Sequence, residues 1–208
     1  MNTKLFKIVE LLLLFVAVPL SFLLDYPLEY KGALIVASIA YTIIYLLVVD
    51  KVRFHIGEGI NWPLFVKETA VIFLVLAIAS FSYMYIESPE FLFNPVLNNP
   101  QQWLIVLLAY SVLSVYPQEL AFRTFFFHRY EDLISNKYLM ITLNAVLFSV
   151  AHIFLGSLLV LVITFIGGLI FAANYGRTRS TLLVSFEHIL YGCWIYTIGM
   201  GAMFGFPS

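Results

Sequence analysis

Long apolar runs separated by short polar breaks occupy almost the whole chain, at about 6–24, 33–49, 69–86, 103–130, 138–154, 158–175 and 181–204. Each approaches the roughly 20 apolar residues that a helix needs to cross the hydrocarbon core. Lipid supplies no partner for a free backbone N–H or C=O, so such runs cross it as helices. The pattern predicts an all-α fold, a polytopic membrane helical bundle of about seven transmembrane helices forming a single domain over residues 1–208. Pro117 interrupts the fourth run and predicts a kink or a break there. The polar stretch from Glu87 to Gln102, rich in proline and asparagine, predicts an external loop.

Composition strengthens this picture. The 208 residues are 62% hydrophobic and 11% charged, with a mean hydropathy of +0.96. A soluble domain carries about 25% charged residues, so this chain has too little polar surface to cover a globule in water. The net charge of −1 leaves no basic footprint, which excludes nucleic acid as a partner. The one cysteine, Cys193, excludes a disulfide scaffold and a multi-cysteine metal site, and reads as a small buried hydrophobe. Lys4 and Lys7 ahead of the first run resemble a secretory signal. No small-residue cleavage site follows Leu23-Leu24-Asp25-Tyr26-Pro27, so this run is read as the first span.

The cations orient the bundle. With the N-terminus inside, the inner segments hold Lys4, Lys7, Lys51, Arg53, Lys67, Arg129, Lys137, Arg177 and Arg179, and the outer segments hold only Lys31. That asymmetry predicts the N-terminus inside and the C-terminus outside. Arg177 and Arg179 are then inner anchors rather than ligands. The lipid bilayer is the first partner.

Ionisable groups deep in a span are costly and mark functional sites by default. The candidates are Glu119, Arg123, His152, Glu187 and His188, with Gln118 as a neutral companion. His55 falls in a loop and His128 near a span end. At about 1.5 Å per residue, Glu119, His152 and His188 reach similar depths, within a slab of roughly 10 Å. Glu119 and Arg123 stand at i and i+4, one helical face, and can pair. A carboxylate with two imidazoles suits water activation by general acid–base chemistry. The same set, His152, His188 and Glu119, would also serve as three ligands of a divalent metal such as zinc with an open position. Gly167 and Gly168 are expected to permit close helix approach, and Phe125, Phe126 and Phe127 to face lipid or core.

At these residues the chain resembles the CPBP family, intramembrane proteases and relatives that include CAAX prenyl endopeptidases and bacteriocin-immunity (Abi) proteins. The likeness rests on Gln118-Glu119-Leu120-Ala121-Phe122-Arg123, on Phe148-Ser149-Val150-Ala151-His152, and on His188-Ile189-Leu190-Tyr191-Gly192, over residues 103–195. It implies an intramembrane endopeptidase that cleaves a membrane-associated or prenylated substrate, in a bacterial cytoplasmic membrane. Glu119, Arg123, His152, His188 and Gln118 are the implied site. Two positions depart from the family pattern. Gln118 replaces a glutamate that is thought to activate water, and Gly192 replaces an asparagine that helps hold the oxyanion. Glu119, or Glu187 beside His188, is then the expected base. The alternatives are a non-catalytic relative acting as an immunity or scaffolding protein, and a small His/Glu proton-coupled transporter. A transporter would show discontinuous helices.

Overall fold

The computed structural model describes residues 3–52 and 60–206; Arg53 and His55 lie outside the described residues. Among the described residues the chain is helical, without strands. Six helices are long and apolar enough to cross a membrane: α2 (Leu28–Val49), α3 (Trp62–Glu87), α4 (Pro100–Tyr130), α5 (Lys137–Leu155), α6 (Leu158–Thr178) and α7 (Thr181–Phe204). The first expected span is also a continuous helix, α1 (residues 4–21), through α and π segments. Lys4, Lys7 and Glu10 in its opening turns set it apart in composition from the other six. The chain is an integral membrane helical bundle.

Local chemistry explains where the helices begin. The Asn61 side chain accepts from the Leu64 N–H at 3.1 Å, and Asn136 from Tyr138 and Leu139 at 2.9 and 3.0 Å. Ser157 and Ser180 do the same for α6 and α7. Each side-chain oxygen satisfies donors that a helix start leaves orphaned.

Pro117 neither breaks nor splits α4. The helix passes from α to π geometry over Tyr110–Val115, returns to α over Tyr116–Glu119, and is π again over Leu120–Phe125. The Tyr116 N–H reaches back to the Ser111 carbonyl, so the wider turn accommodates a residue that lacks its own N–H. The segment expected as a loop is also ordered. Pro89–Phe91 and Asn94–Asn98 form short helices, and the Phe93 N–H donates to the Ile198 carbonyl at 3.3 Å. Gly199, at φ 106°, lies against the Phe91 carbonyl, where a side chain would collide.

Two charges of α1, Lys7 and Glu10, are consumed in packing. Glu10 accepts from Arg129 Nε at 2.7 Å and from the Tyr130 and Tyr41 hydroxyls, while Arg129 Nη1 donates to Tyr45 Oη at 2.6 Å. Lys7 pairs with Asp132 at 2.7 Å, which holds that carboxyl below its usual range. This cluster gathers the start of α1 and the ends of α2 and α4, as alternate threading requires. Arg177 and Arg179 form ion pairs with Glu68 (2.5 Å) and Glu131 (2.9 Å), and His128 pairs with Asp50 at 3.0 Å.

Hydrogen bonds near both ends help hold α4 against α7. Trp103 Nε1 donates to Thr197 Oγ1 at 2.9 Å near one end, and the Thr124 and Thr181 hydroxyls meet at 2.6 Å near the other. Gly168 lets α6 close on α5: a Cβ there would stand 2.9 Å from Ala145 Cα. Gly167 meets only the Phe171 ring. Phe125, Phe126 and Phe127 are buried core rather than lipid-facing.

Candidate active site

Between these two ends of the α4–α7 contact, Glu119 and His188 meet. His188 Nδ1 lies 2.8 Å from Glu119 Oε1. A carboxylate only accepts, so Nδ1 carries the hydrogen and Nε2 is left with its lone pair when the ring is neutral. The second carboxylate oxygen, Oε2, stands 3.1 Å from Arg123 Nε, a charge contact without hydrogen-bond alignment. Both residues are 0% exposed. Arg123 Nη1 donates to Asn144 Oδ1, and Asn144 Nδ2 donates in turn to the Phe122 carbonyl at 2.5 Å. The guanidinium carbon also stands 4.7 Å from the Phe148 ring centroid and 5.8 Å from that of Phe171. One chain of contacts therefore runs from Asn144 through Arg123 and Glu119 to His188.

The arrangement differs from the expectation that Glu119 is the base. Its two oxygens face His188 and Arg123, and neither Glu119 nor Arg123 lines the adjoining cavity. Glu119 is therefore in place to orient the His188 imidazole. Glu187 does not replace it. Its carboxylate accepts from Thr69 Oγ1 and Asn174 Nδ2, each at 2.8 Å, because neighbouring helical positions point about 100° apart.

His152 arrives by another route. The α-helical part of α5 ends at Val150, and its 14 residues rise only about 21 Å. His152 lies in the turn beyond that end, with its N–H on the Ser149 carbonyl at 2.9 Å, rather than inside a helix as the sequence predicts. Its Nδ1 is 2.8 Å from the Phe148 carbonyl, which again leaves Nε2 as the free lone pair. Phe148 packs against both imidazoles, with ring centroids 4.8 Å from His152 and 5.7 Å from His188. Phe171 stacks on His188 at 4.8 Å. Gln118 donates Nε2 to Ser114 Oγ at 2.8 Å, and its Oε1 has no partner among the described residues.

His152, His188, Gln118 and Gly192 share the wall of one cavity of about 1230 Å³. Most of its lining is apolar, drawn from α1, α2, α3 and α6 through residues such as Phe15, Val18, Ile39, Val75 and Ile170. An apolar vault with a few polar groups at one place is the common form of a small-molecule site.

The expected metal set does not fit this geometry. Glu119 sits on the Nδ1 edge of His188, so an ion on the free Nε2 would lie across the ring from that carboxylate. Among the described residues no three His, Cys, Asp or Glu side chains are placed to hold a metal ion. Asn144 is a site-supporting residue that sequence reasoning missed. Its signal was present: Asn144, Phe148 and His152 follow one another at i, i+4 and i+8.

The family comparison covers the same region. No curated protein and no solved structure matches the chain. A family model does: residues 100–194 match Type II CAAX prenyl endopeptidase Rce1-like, nearly the segment that the three motifs delimit. That segment contains α4 through most of α7, with Gln118, Glu119, Arg123, His152, His188 and Gly192. Residues 100–194, where these motifs stand, are thus similar to the Rce1-like type II CAAX prenyl endopeptidases, which supports the CPBP/CAAX likeness.

Proposed function

We propose that the protein is an active intramembrane endopeptidase that hydrolyses a peptide bond of a prenylated, membrane-associated substrate, with His188 as general base and acid. The observation that carries this reading is the chain from Asn144 through Arg123 and Glu119 to His188, ending beside an apolar cavity. A base oriented by a buried carboxylate is the logic of hydrolytic triads, in which the carboxylate fixes the tautomer and offsets the charge formed on the ring. Here water replaces the serine as nucleophile.

In the proposed reaction His188 Nε2 takes a proton as the water oxygen attacks the scissile carbonyl carbon. The carbonyl π pair moves onto oxygen. Collapse of the tetrahedral intermediate restores the C=O, breaks the C–N bond and passes the proton from Nε2 to the leaving amine. Gln118 Oε1 and His152 Nε2 accept hydrogen bonds that position water and substrate. Gln118 itself has no usable proton affinity, so it orients and does not deprotonate. The apolar vault takes the isoprenoid, whose burial contributes about 0.8 kcal/mol per CH₂ group. No step passes through a metal.

A second reading, a relative that binds such substrates without cleaving them, is favoured by one observation, the amide at Gln118. The transporter reading loses its motive, because α4 runs unbroken through Pro117. The test uses purified protein in liposomes, a C-terminal peptide with and without its prenyl group, and mass spectrometry of the fragments. Cleavage of the prenylated peptide that is lost in His188→Ala is expected. Equal cleavage by native chain and variant overturns the assignment.

A further inference from the structure

The side chains assigned so far present acceptors to the cavity. His152 and His188 each present a free Nε2 lone pair when neutral, and Gln118 presents Oε1. Hydrolysis needs the opposite at one point, a donor aimed at the oxygen on which negative charge develops.

Tyr110 brings such a donor. It lies two turns before Gln118 on α4, in the stripe Tyr110–Ser114–Gln118 at i, i+4 and i+8, and lines the same cavity. Its ring stands edge-on to His188, with centroids 6.1 Å apart and planes at 80°. Phe206 packs against the phenol at 4.8 Å. The hydroxyl end lies over Gly192, where a Cβ would collide with Oη, Cζ and Cε1 of Tyr110. Among the described residues the Tyr110 hydroxyl has no hydrogen-bond partner. A phenol in an apolar setting ordinarily finds one, because an unpaired hydroxyl away from water is unfavourable. Of the rings that pack on His188 among the described residues (Tyr110, Phe148 and Phe171), that of Tyr110 carries a hydroxyl.

We propose that Tyr110 is the oxyanion donor of this site and that Gly192 is the gap on α7 that admits its phenol. The assignment rests on the proteolytic reading and deepens it. As water attacks and the carbonyl electrons move onto oxygen, Tyr110 Oη–H donates a hydrogen bond to that oxygen and keeps its proton. When the C=O re-forms and the C–N bond breaks, the hydrogen bond relaxes. Tyr110 thus acts on the carbonyl oxygen while His188 handles the proton. Any side chain at residue 192 displaces the phenol, so the two positions act as one device.

The experiment uses the full chain in liposomes and two readouts. The first is binding of a prenylated peptide whose scissile amide is replaced by a phosphinate, a tetrahedral anion, against the same peptide with a methyleneamine that has no such oxygen. The native chain is expected to prefer the phosphinate. Tyr110→Phe should reduce that preference about 10²-fold while binding the methyleneamine peptide as before. Gly192→Ala, which pushes the phenol aside, should do the same. The second readout is cleavage, where Tyr110→Phe should lower kcat by about 10²–10³ with KM little changed. An unchanged phosphinate preference in Tyr110→Phe, or no preference in the native chain, overturns the assignment. A native chain that fails to cleave yet shows a Tyr110-dependent phosphinate preference overturns the proteolytic reading and leaves the Tyr110 assignment standing.

Discussion

Replacing Glu119 by glutamine changes one atom and tests both stability and chemistry. A glutamine at 119 can still accept from His188 Nδ1 through Oε1, but its NH₂ group then faces the Arg123 guanidinium, donor against donor. Turned the other way, it accepts from Arg123 and opposes the His188 N–H. The first orientation sets two buried donors against each other, and the second is matched only if the ring hydrogen moves to Nε2 and takes the lone pair of the base. Both leave the buried Arg123 charge without its counter-ion. Breaking a buried ion pair from one side costs about 3–5 kcal/mol. Asn144 and the Phe148 and Phe171 rings still hold Arg123, which places the expected loss near the lower end, about 3 kcal/mol. For a chain of this length that lowers Tm by about 10 °C. The chemical effect is separate and larger. Without the carboxylate, nothing fixes the His188 tautomer or offsets its charge, and kcat per folded molecule should fall by about 10²–10⁴. Thermal unfolding in detergent gives the first number, and cleavage normalised to folded protein gives the second. Cleavage within about threefold of native would refute the role of Glu119 as the group that orients the base.

Four further outcomes are expected. His152→Ala should reduce cleavage about 100-fold, and Gln118→Ala by less, because the amide only positions; equal losses would make Gln118 part of the chemistry. Strong chelators should leave the rate unchanged, and inactivation that zinc reverses would contradict the metal-free scheme. Gly168→Val should destabilise by about 1–3 kcal/mol, since its Cβ meets the Ala145 backbone rather than a movable side chain; an unchanged Tm would place the α5–α6 contact elsewhere. A reporter fused after α7 should read as external, and an internal signal would reverse the orientation drawn from the cation asymmetry.

Six of the seven expected spans were legible because lipid imposes a single requirement, an apolar stretch of sufficient length, and the sequence states it in those runs. Their polar details were less so. Lys7 and Glu10 pair with Asp132 and Arg129, more than a hundred residues away, and no local pattern reveals such partners. Glu119, His152 and His188 stand at similar depths in the sequence, yet depth carries no azimuth. That is why Glu119 looked available as a base while its oxygens in fact face His188 and Arg123. Glu187, beside His188, looked available as an alternative base, whereas its carboxylate accepts from Thr69 and Asn174. Pro117 predicted a break because sequence periodicity assumes α geometry, whereas two π segments flank it. Tyr110 was hidden for a different reason. A tyrosine in an apolar run reads as packing, and only its approach to Gly192 shows that space was left for it.

The central claim is that an imidazole oriented by Glu119 performs hydrolysis without the glutamate that Gln118 replaces. The most direct measurement compares cleavage of one prenylated C-terminal peptide in liposomes by the native chain and by Gln118→Glu. The native chain is expected to release the C-terminal fragment, and Gln118→Glu to change the rate without being required for it. A native chain that is silent while Gln118→Glu cleaves would contradict the account and show that the carboxylate missing at residue 118 is the base.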